Sequence, residues 1–135
     1  MAIRLKPKTY GPLVARLNGG RVTVQSAPTQ VLAISSPPGD DAASPVEILL
    51  TAVGSCLAIS IAMAADQMKL DVGQVEVSTS GTRALDLPHR VGQIEAAVTL
   101  ERVPDGDTAK QLLKRGKELC TVSNSLNVPV ELSLA

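Results

Sequence analysis

The apolar positions of the chain switch period several times, and each switch predicts an element. Residues 12–18 (PLVARLN) and 21–26 (RVTVQS) alternate apolar and polar side chains around Gly19-Gly20. A two-residue turn dipeptide between alternating runs predicts a β-hairpin. Residues 30–35 (QVLAIS) read as a third short strand, and 36–44 (SPPGDDAAS) is a stretch of breakers and turn formers, a surface loop. Residues 48–65 then carry no charge. Beyond them, 74–82 (QVEVSTSGT) and 92–102 (GQIEAAVTLER) alternate again, on either side of a loop holding Pro88 and His89, as strands with one packed and one wet face do. Residues 105–119 space Ala109, Leu112 and Leu113 at helical intervals against a polar opposite face, a short helix or turn fits 121–127, and 128–133 (VPVELS) reads as a last strand. The predicted order is β-β-β-α-β-β-α-β, an α+β class, in a single domain over residues 1–135.

The uncharged run has a marked beginning. Ser44, Pro45 and Glu47 stand as N-cap, first helical residue and the acidic member of a capping box, so a helix is predicted from there to Gln67. About eighteen uncharged residues is the lower limit for a membrane span. Thr51, Ser55 and Ser60 interrupt the run and no Trp or Tyr flanks it, so the expectation is a helix buried at the centre of a protein rather than in a membrane.

Composition narrows the partners. Thirteen basic residues balance thirteen acidic ones, and Tyr10 is the one aromatic. Nucleic acid is therefore not expected to bind, since neither a basic face nor a stacking platform is available. A ligand pocket should be aliphatic. The opening sequence MAIRLKPKTYGPL lacks the pattern of an export signal, which predicts a cytoplasmic protein. There Cys56 and Cys120 are expected to be reduced thiols or a redox couple. Two cysteines and His89 are too few for a structural zinc site, so no metal is expected.

Each candidate also has a plain reading. Cys56 in an apolar helix reads first as a small buried hydrophobe. Cys120, after a polar amphipathic helix, reads as a half-buried residue nearer the surface than Cys56. Glu47 is already used by the capping box, and nine positions of helix place it about 13 Å from Cys56 along the axis and on the opposite face. Arg21 could be a solvated hairpin charge, and His89 an exposed loop residue.

Two motifs change these readings. SPVEILLTAVGSCLA contains Pro45, Glu47, Ile48, Leu49, Leu50, Gly54, Ser55 and Cys56, and ELCTVSNSL contains Cys120, Val122, Ser123 and Asn124. In this order, 64 positions apart (120 − 56), they resemble the OsmC/Ohr family of thiol peroxidases, whose members pair a Pro-x-Glu-Leu-Leu helix leading into small-small-Cys with a downstream Cys-Pro-Val-Ser-Asn. Thr121 stands where that motif has proline. The resemblance implies an intertwined homodimer with antiparallel sheets wrapped around two central helices and active sites at the subunit boundary. It also implies reduction of organic hydroperoxides by Cys56, resolution by Cys120, no bound cofactor, and an external thiol or dithiol reductant. Gly19-Gly20-Arg21 matches a third family element and makes Arg21 the candidate activating cation, with Arg16 as the fallback. Glu47 would act through Arg21 or from the other subunit. A non-peroxidatic dimeric relative that binds a small apolar or thiol ligand is the other reading.

Overall fold

The computed structural model describes residues 42–135 and, before them, the backbone of three strands. The chain falls into two compact units, residues 1–47 and 48–135. In the first, β1 (Val14–Asn18), β2 (Arg21–Ala27) and β3 (Gln30–Ser35) form an antiparallel sheet in the order β1-β2-β3. Asn18 pairs with Arg21 at the closed end of the hairpin, the register a two-residue connection imposes. The predicted turn residues Gly19-Gly20 themselves, and the side chains of Arg16 and Arg21, lie outside the described residues.

The second unit holds most of α1 (Pro45–Gln67), then β4 (Val75–Arg83), β5 (Val91–Leu100), α2 (Gly106–Leu119), α3 (Thr121–Asn124) and β6 (Val130–Leu134). The α+β order read from the sequence is the order found. The predicted capping box starts α1: Ser44 N donates to Glu47 Oε1 at 3.0 Å and Glu47 N to Ser44 Oγ at 3.2 Å, satisfying two orphan amides of the first turn. At the other end Lys69 takes a left-handed φ of 58° while Leu70 N closes on Ala65 O at 2.8 Å, which turns the chain out of the helix.

The sheet order is β4-β5-β6. Alternation in β5 buries Ile94, Ala96, Val98 and Leu100, and the register sets Gly81, Thr79, Val77 and Val75 of β4 opposite them. Val130 and Leu132 of β6 face Ile94 and Ala96 in turn, so apart from Thr79 and Gly81 of β4 one face of the sheet is aliphatic across three strands. One correction to the expected fold is that β6 runs parallel to β5, not antiparallel. The connection between them carries α2 and α3, and a crossover of that length returns the chain in the same direction.

Helices α1 and α2 cover this face. Ile61, Ala64 and Ala65 of α1 pack with Leu112 of α2, Val98, Leu100 and Val72. Their backbones approach at Gly116, where a Cβ would stand 2.6 Å from Ile61 Cγ1 and 3.1 Å from Ile61 Cα. Full burial of an Ile or Leu is worth roughly 2 kcal/mol, so Leu57, Ile61, Ile94 and Leu112, all fully buried, outweigh the solvent-screened ion pairs of Arg102 with Asp71 and Glu101. The burial of α1 is one-sided. The helix is long and apolar enough by composition to cross a membrane, and it buries Val53, Gly54, Leu57, Ser60, Ile61, Ala64 and Ala65 on the sheet side. On the opposite side, among the described residues, Ile59 and Met63 are 63% and 48% exposed. A single three-stranded face and one neighbouring helix subtend only part of a helix circumference.

Candidate active site

Cys56 and Cys120 come together at the end of the sheet where α1 crosses the α2–α3 junction. Cys56 lies in the middle of α1, on the border between its buried and exposed sides, and is half-buried. Cys120 belongs to neither flanking helix. It caps the C-terminus of α2 and the N-terminus of α3 at once, with extended backbone (φ −80°, ψ 101°), and its amide donates to Lys117 O. Its Sγ accepts the Ser123 amide at 3.4 Å, the bond by which an N-cap side chain satisfies a first-turn donor. Ser123 Oγ returns a bond to Cys120 O at 3.4 Å, and Asn124 Nδ2 donates to Glu118 O at 2.9 Å. These contacts fold the Cys-x-x-Ser-Asn segment into a tight corner that carries Cys120 into the core.

Here the sequence expectation about exposure is reversed. Cys120 is fully buried, among Val53, Leu57, Ile94, Ala96 and Val130, whereas Cys56 retains some solvent access. A polar α2 predicts a residue near the surface, but the cap turns the chain inward within one residue, and no helical period carries that information.

The two thiols have opposite acidities. Burial pushes the Cys56 thiol up, yet the net shift is downward, because the Val122 amide, the Cys120 thiol, the Ser60 hydroxyl and the Thr121 amide all hydrogen-bond its sulfur. For Cys120 burial dominates and pushes the thiol up. The Ser123 hydroxyl and amide draw it down, while its bond and repulsion with Cys56 add to the rise. The shifts make Cys56 the more acidic of the two thiols.

Among the described residues none of the groups that lower Cys56 is charged. The sequence reading gives this task to a guanidinium, and Arg21, whose backbone pairs with Asn18 and Ser35, has its side chain outside the described residues. What sequence reasoning missed is the set of neutral donors. Ser60 could have been found, since it interrupts the apolar run four positions after Cys56 and so shares its helix face. The amides of Thr121 and Val122 carry no residue-type signal. Thr121 matters for another reason: proline, which the family motif has here, would have no N–H to give.

Glu47 is where the capping box puts it, in the first turn of α1, and is exposed. His89 lies exposed in the β4–β5 loop, hydrogen-bonded to Arg83, as a plain loop residue. Among the described residues no group of three or more His, Cys, Asp or Glu is placed to hold a metal ion.

Comparison with known proteins agrees with the fold. The family model for OsmC-like protein matches residues 38–134. No curated protein sequence matches the chain. Among solved structures, an OsmC-like protein from Mycoplasma pneumoniae superposes with TM-score 0.80 at 17% identity, covering 96% of this chain and 99% of that one. A putative osmotic stress induced and detoxification response protein from Psychrobacter arcticus gives 0.78 at 19%, covering 97% and 100%. An organic hydroperoxide resistance protein from Legionella pneumophila gives 0.75 at 18%, covering 95% and 99%.

Proposed function

The chain belongs to the OsmC-like family, and from that membership we propose that it is a thiol-dependent peroxidase for organic hydroperoxides, with Cys56 as the attacking thiol and Cys120 as the resolving one. The observation that carries the reading is that two cysteines 64 positions apart (120 − 56) share one aliphatic cluster, Cys120 inside it and Cys56 packed against it, with the acidity of Cys56 raised and that of Cys120 lowered. A structural pair of buried cysteines needs no such division, whereas a peroxidatic pair does.

The chemistry follows from the positions. The Cys56 thiolate attacks one oxygen of the hydroperoxide; the O–O bond breaks, an S–O bond forms, and the alkoxide leaves and takes a proton to become the alcohol. Cys56 is then a sulfenic acid. The Cys120 sulfur, in the same aliphatic cluster, attacks the Cys56 sulfur, an S–S bond forms, and the sulfenic oxygen leaves as water with the Cys120 proton. A small dithiol from outside reduces the disulfide and restores both thiols. The aliphatic surroundings of the pair suit an alkyl peroxide better than hydrogen peroxide.

Arg21 holds the peroxide and adds positive charge at the thiolate. Glu47 holds Arg21, from the same or the other subunit, because it cannot reach Cys56 along its own helix. The protein acts as a homodimer in the cytoplasm, the exposed apolar side of α1 meeting its counterpart. The test is peptide mapping after one equivalent of an organic hydroperoxide. A Cys56–Cys120 disulfide is expected, with loss of two hydrogens in the intact mass. No oxidation at either cysteine would reject the peroxidase and favour a ligand-binding relative.

A further inference from the structure

Cys120 is the single residue between α2 and α3, so the two helices can swing relative to each other only about its backbone. Two bonds tie its side chain and carbonyl to the α3 arm. The Ser123 amide donates to Cys120 Sγ at 3.4 Å and the Ser123 hydroxyl to Cys120 O at 3.4 Å, so the sulfur goes where the first turn of α3 goes. The α3 arm is in turn held to α2 by one side chain. Asn124, the last residue of α3, donates from Nδ2 to Glu118 O at 2.9 Å. That oxygen is one of the last four carbonyls of α2, which have no partner inside their own helix. Helix α2 meets α1 where Gly116 stands against Ile61, and α1 carries Cys56.

We propose that Asn124 is a positioning residue for the resolving thiol: its side chain braces α3 against the end of α2 and thereby holds Cys120 Sγ in the aliphatic cluster against which Cys56 packs. The inference rests on the reading of Cys120 as the resolving thiol and adds a residue to it. Contacts run without a break from one cysteine to the other: Cys56 and Ile61 on α1, Ile61 against Gly116 of α2, Glu118 to Asn124, and Ser123 to Cys120. The Glu118–Asn124 link is the one made by an exposed side chain, so it can be cut without opening a cavity. With it cut, Val122 and Leu126 still pack against the cluster. Apolar packing is not directional, so α3 stays on the core but turns more freely about Cys120. A disulfide tolerates only a narrow range of separations and dihedral angles. A sulfur that samples a wider arc therefore meets its partner in that geometry less often.

The experiment measures the equilibrium between the Cys56–Cys120 dithiol and disulfide in glutathione buffers of stepped ratio, where one oxidised glutathione takes up the two hydrogens as two thiols. Acid-quenched samples of wild type, Asn124→Ala and Asn124→Asp are read by intact mass, and urea unfolding of the reduced proteins gives their stability. No peroxide is present, so the readout does not depend on peroxidase activity. Both variants should lower the equilibrium constant for closing the disulfide by about fivefold, the factor that one hydrogen bond is worth. Asp has the shape of Asn without the donor, so it should fall with Ala. Loss of a helix cap alone changes the unfolding midpoint and leaves that constant in the folded protein where it was. An unchanged constant in both variants would therefore overturn the proposal, and so would an Asp variant that keeps the wild-type constant, since the donor would then not be the cause. Hydroperoxide is added to the same three samples separately. Cys56 sulfenic acid should form at the wild-type rate in the variants and close to the disulfide more slowly; equal closing rates would overturn the brace. A wild-type protein that closes the disulfide with glutathione but is not oxidised by hydroperoxide rejects the peroxidase and leaves the brace standing. A wild-type protein that forms no Cys56–Cys120 disulfide in any of these buffers rejects both.

Discussion

At the scale of residues, function rests on the difference in acidity between two thiols, and among the described residues the donors to Cys56 are neutral. Cys56→Ser should abolish turnover and leave Cys120 unoxidised, while Cys120→Ser should allow one fast oxidation and then stop at the sulfenic or, with excess peroxide, the sulfinic acid. Oxidation of Cys120 at the wild-type rate in the first variant would exchange the roles. The pH dependence has a definite sign. Cys56 has its folded pKa lowered, so its thiolate contributes stability that appears as pH rises through the folded value, is complete above the unfolded thiol value of about 8.5, and is lost as pH falls through the folded value. Cys120, with its pKa raised, contributes in the opposite sense, fully present below the unfolded value and lost as pH rises through the folded one. Reduced wild type should therefore gain stability over Cys56→Ser between the folded Cys56 value and pH 8.5, measured by urea unfolding at a series of pH values. Thr121→Pro isolates one donor. Proline suits the first position of α3, and Cys120 before it is already extended, as a residue preceding proline prefers. The variant should fold with unchanged stability yet alkylate more slowly at neutral pH, and an unchanged rate would remove the Thr121 amide from the site.

At the scale of elements, α1 carries three tasks on one helix: a capped start, a thiol and a packing face. Glu47 can be tested without confusing the first two. Glutamine fills the same place in a capping box, so Glu47→Gln should leave the thermal midpoint within a degree or two while Glu47→Ala lowers stability by about 1 kcal/mol. If Glu47 also orients Arg21, Gln will lower kcat/KM for hydroperoxide at constant stability; equal activity would confine Glu47 to capping. The packing face has its tightest point at Gly116. Substituting Ala there sets a methyl group against the side chain and backbone of Ile61, which only a separation of α1 from α2 can relieve, so a loss of about 1–3 kcal/mol is expected in urea unfolding.

At the scale of the whole molecule, the uncovered side of α1 and the cysteine pair each make a prediction. Ile59 and Met63, with Ala52 and Ala62 beside them, leave one side of α1 apolar and exposed among the described residues, a surface of the kind that marks an interaction site. Light scattering at micromolar concentration should give the mass of a dimer with a buried interface above about 1,600 Å², and Ile59→Asp should shift the protein toward the mass of one chain. A wild-type protein with the mass of one chain would remove the shared active site as well. Oxidation closes a loop of 64 positions (120 − 56), for which chain entropy gives about 4 kcal/mol of stabilisation. The thermal midpoint of the oxidised protein should lie on the order of 10 °C above the reduced one.

What the sequence determined by itself was everything with a period or a local signature. The alternation in 74–82 and 92–102 put β4 and β5 within a residue or two of their observed bounds, the capping box fixed the start of α1, and the helical spacing of Ala109 and Leu112 marked the face that α2 buries. The two cysteine motifs were legible as chemistry because residue type and order are written in the chain. Tertiary structure decided what depends on neighbours distant in sequence. Strand direction for β6 followed from the length of the crossover, not from its alternating residues, which look the same parallel or antiparallel. The depth of Cys120 followed from a one-residue cap, which leaves no periodic trace. The donors to Cys56 are mostly backbone amides, which every residue except proline has, so only the folded path of the chain around α3 could bring those amides to that sulfur.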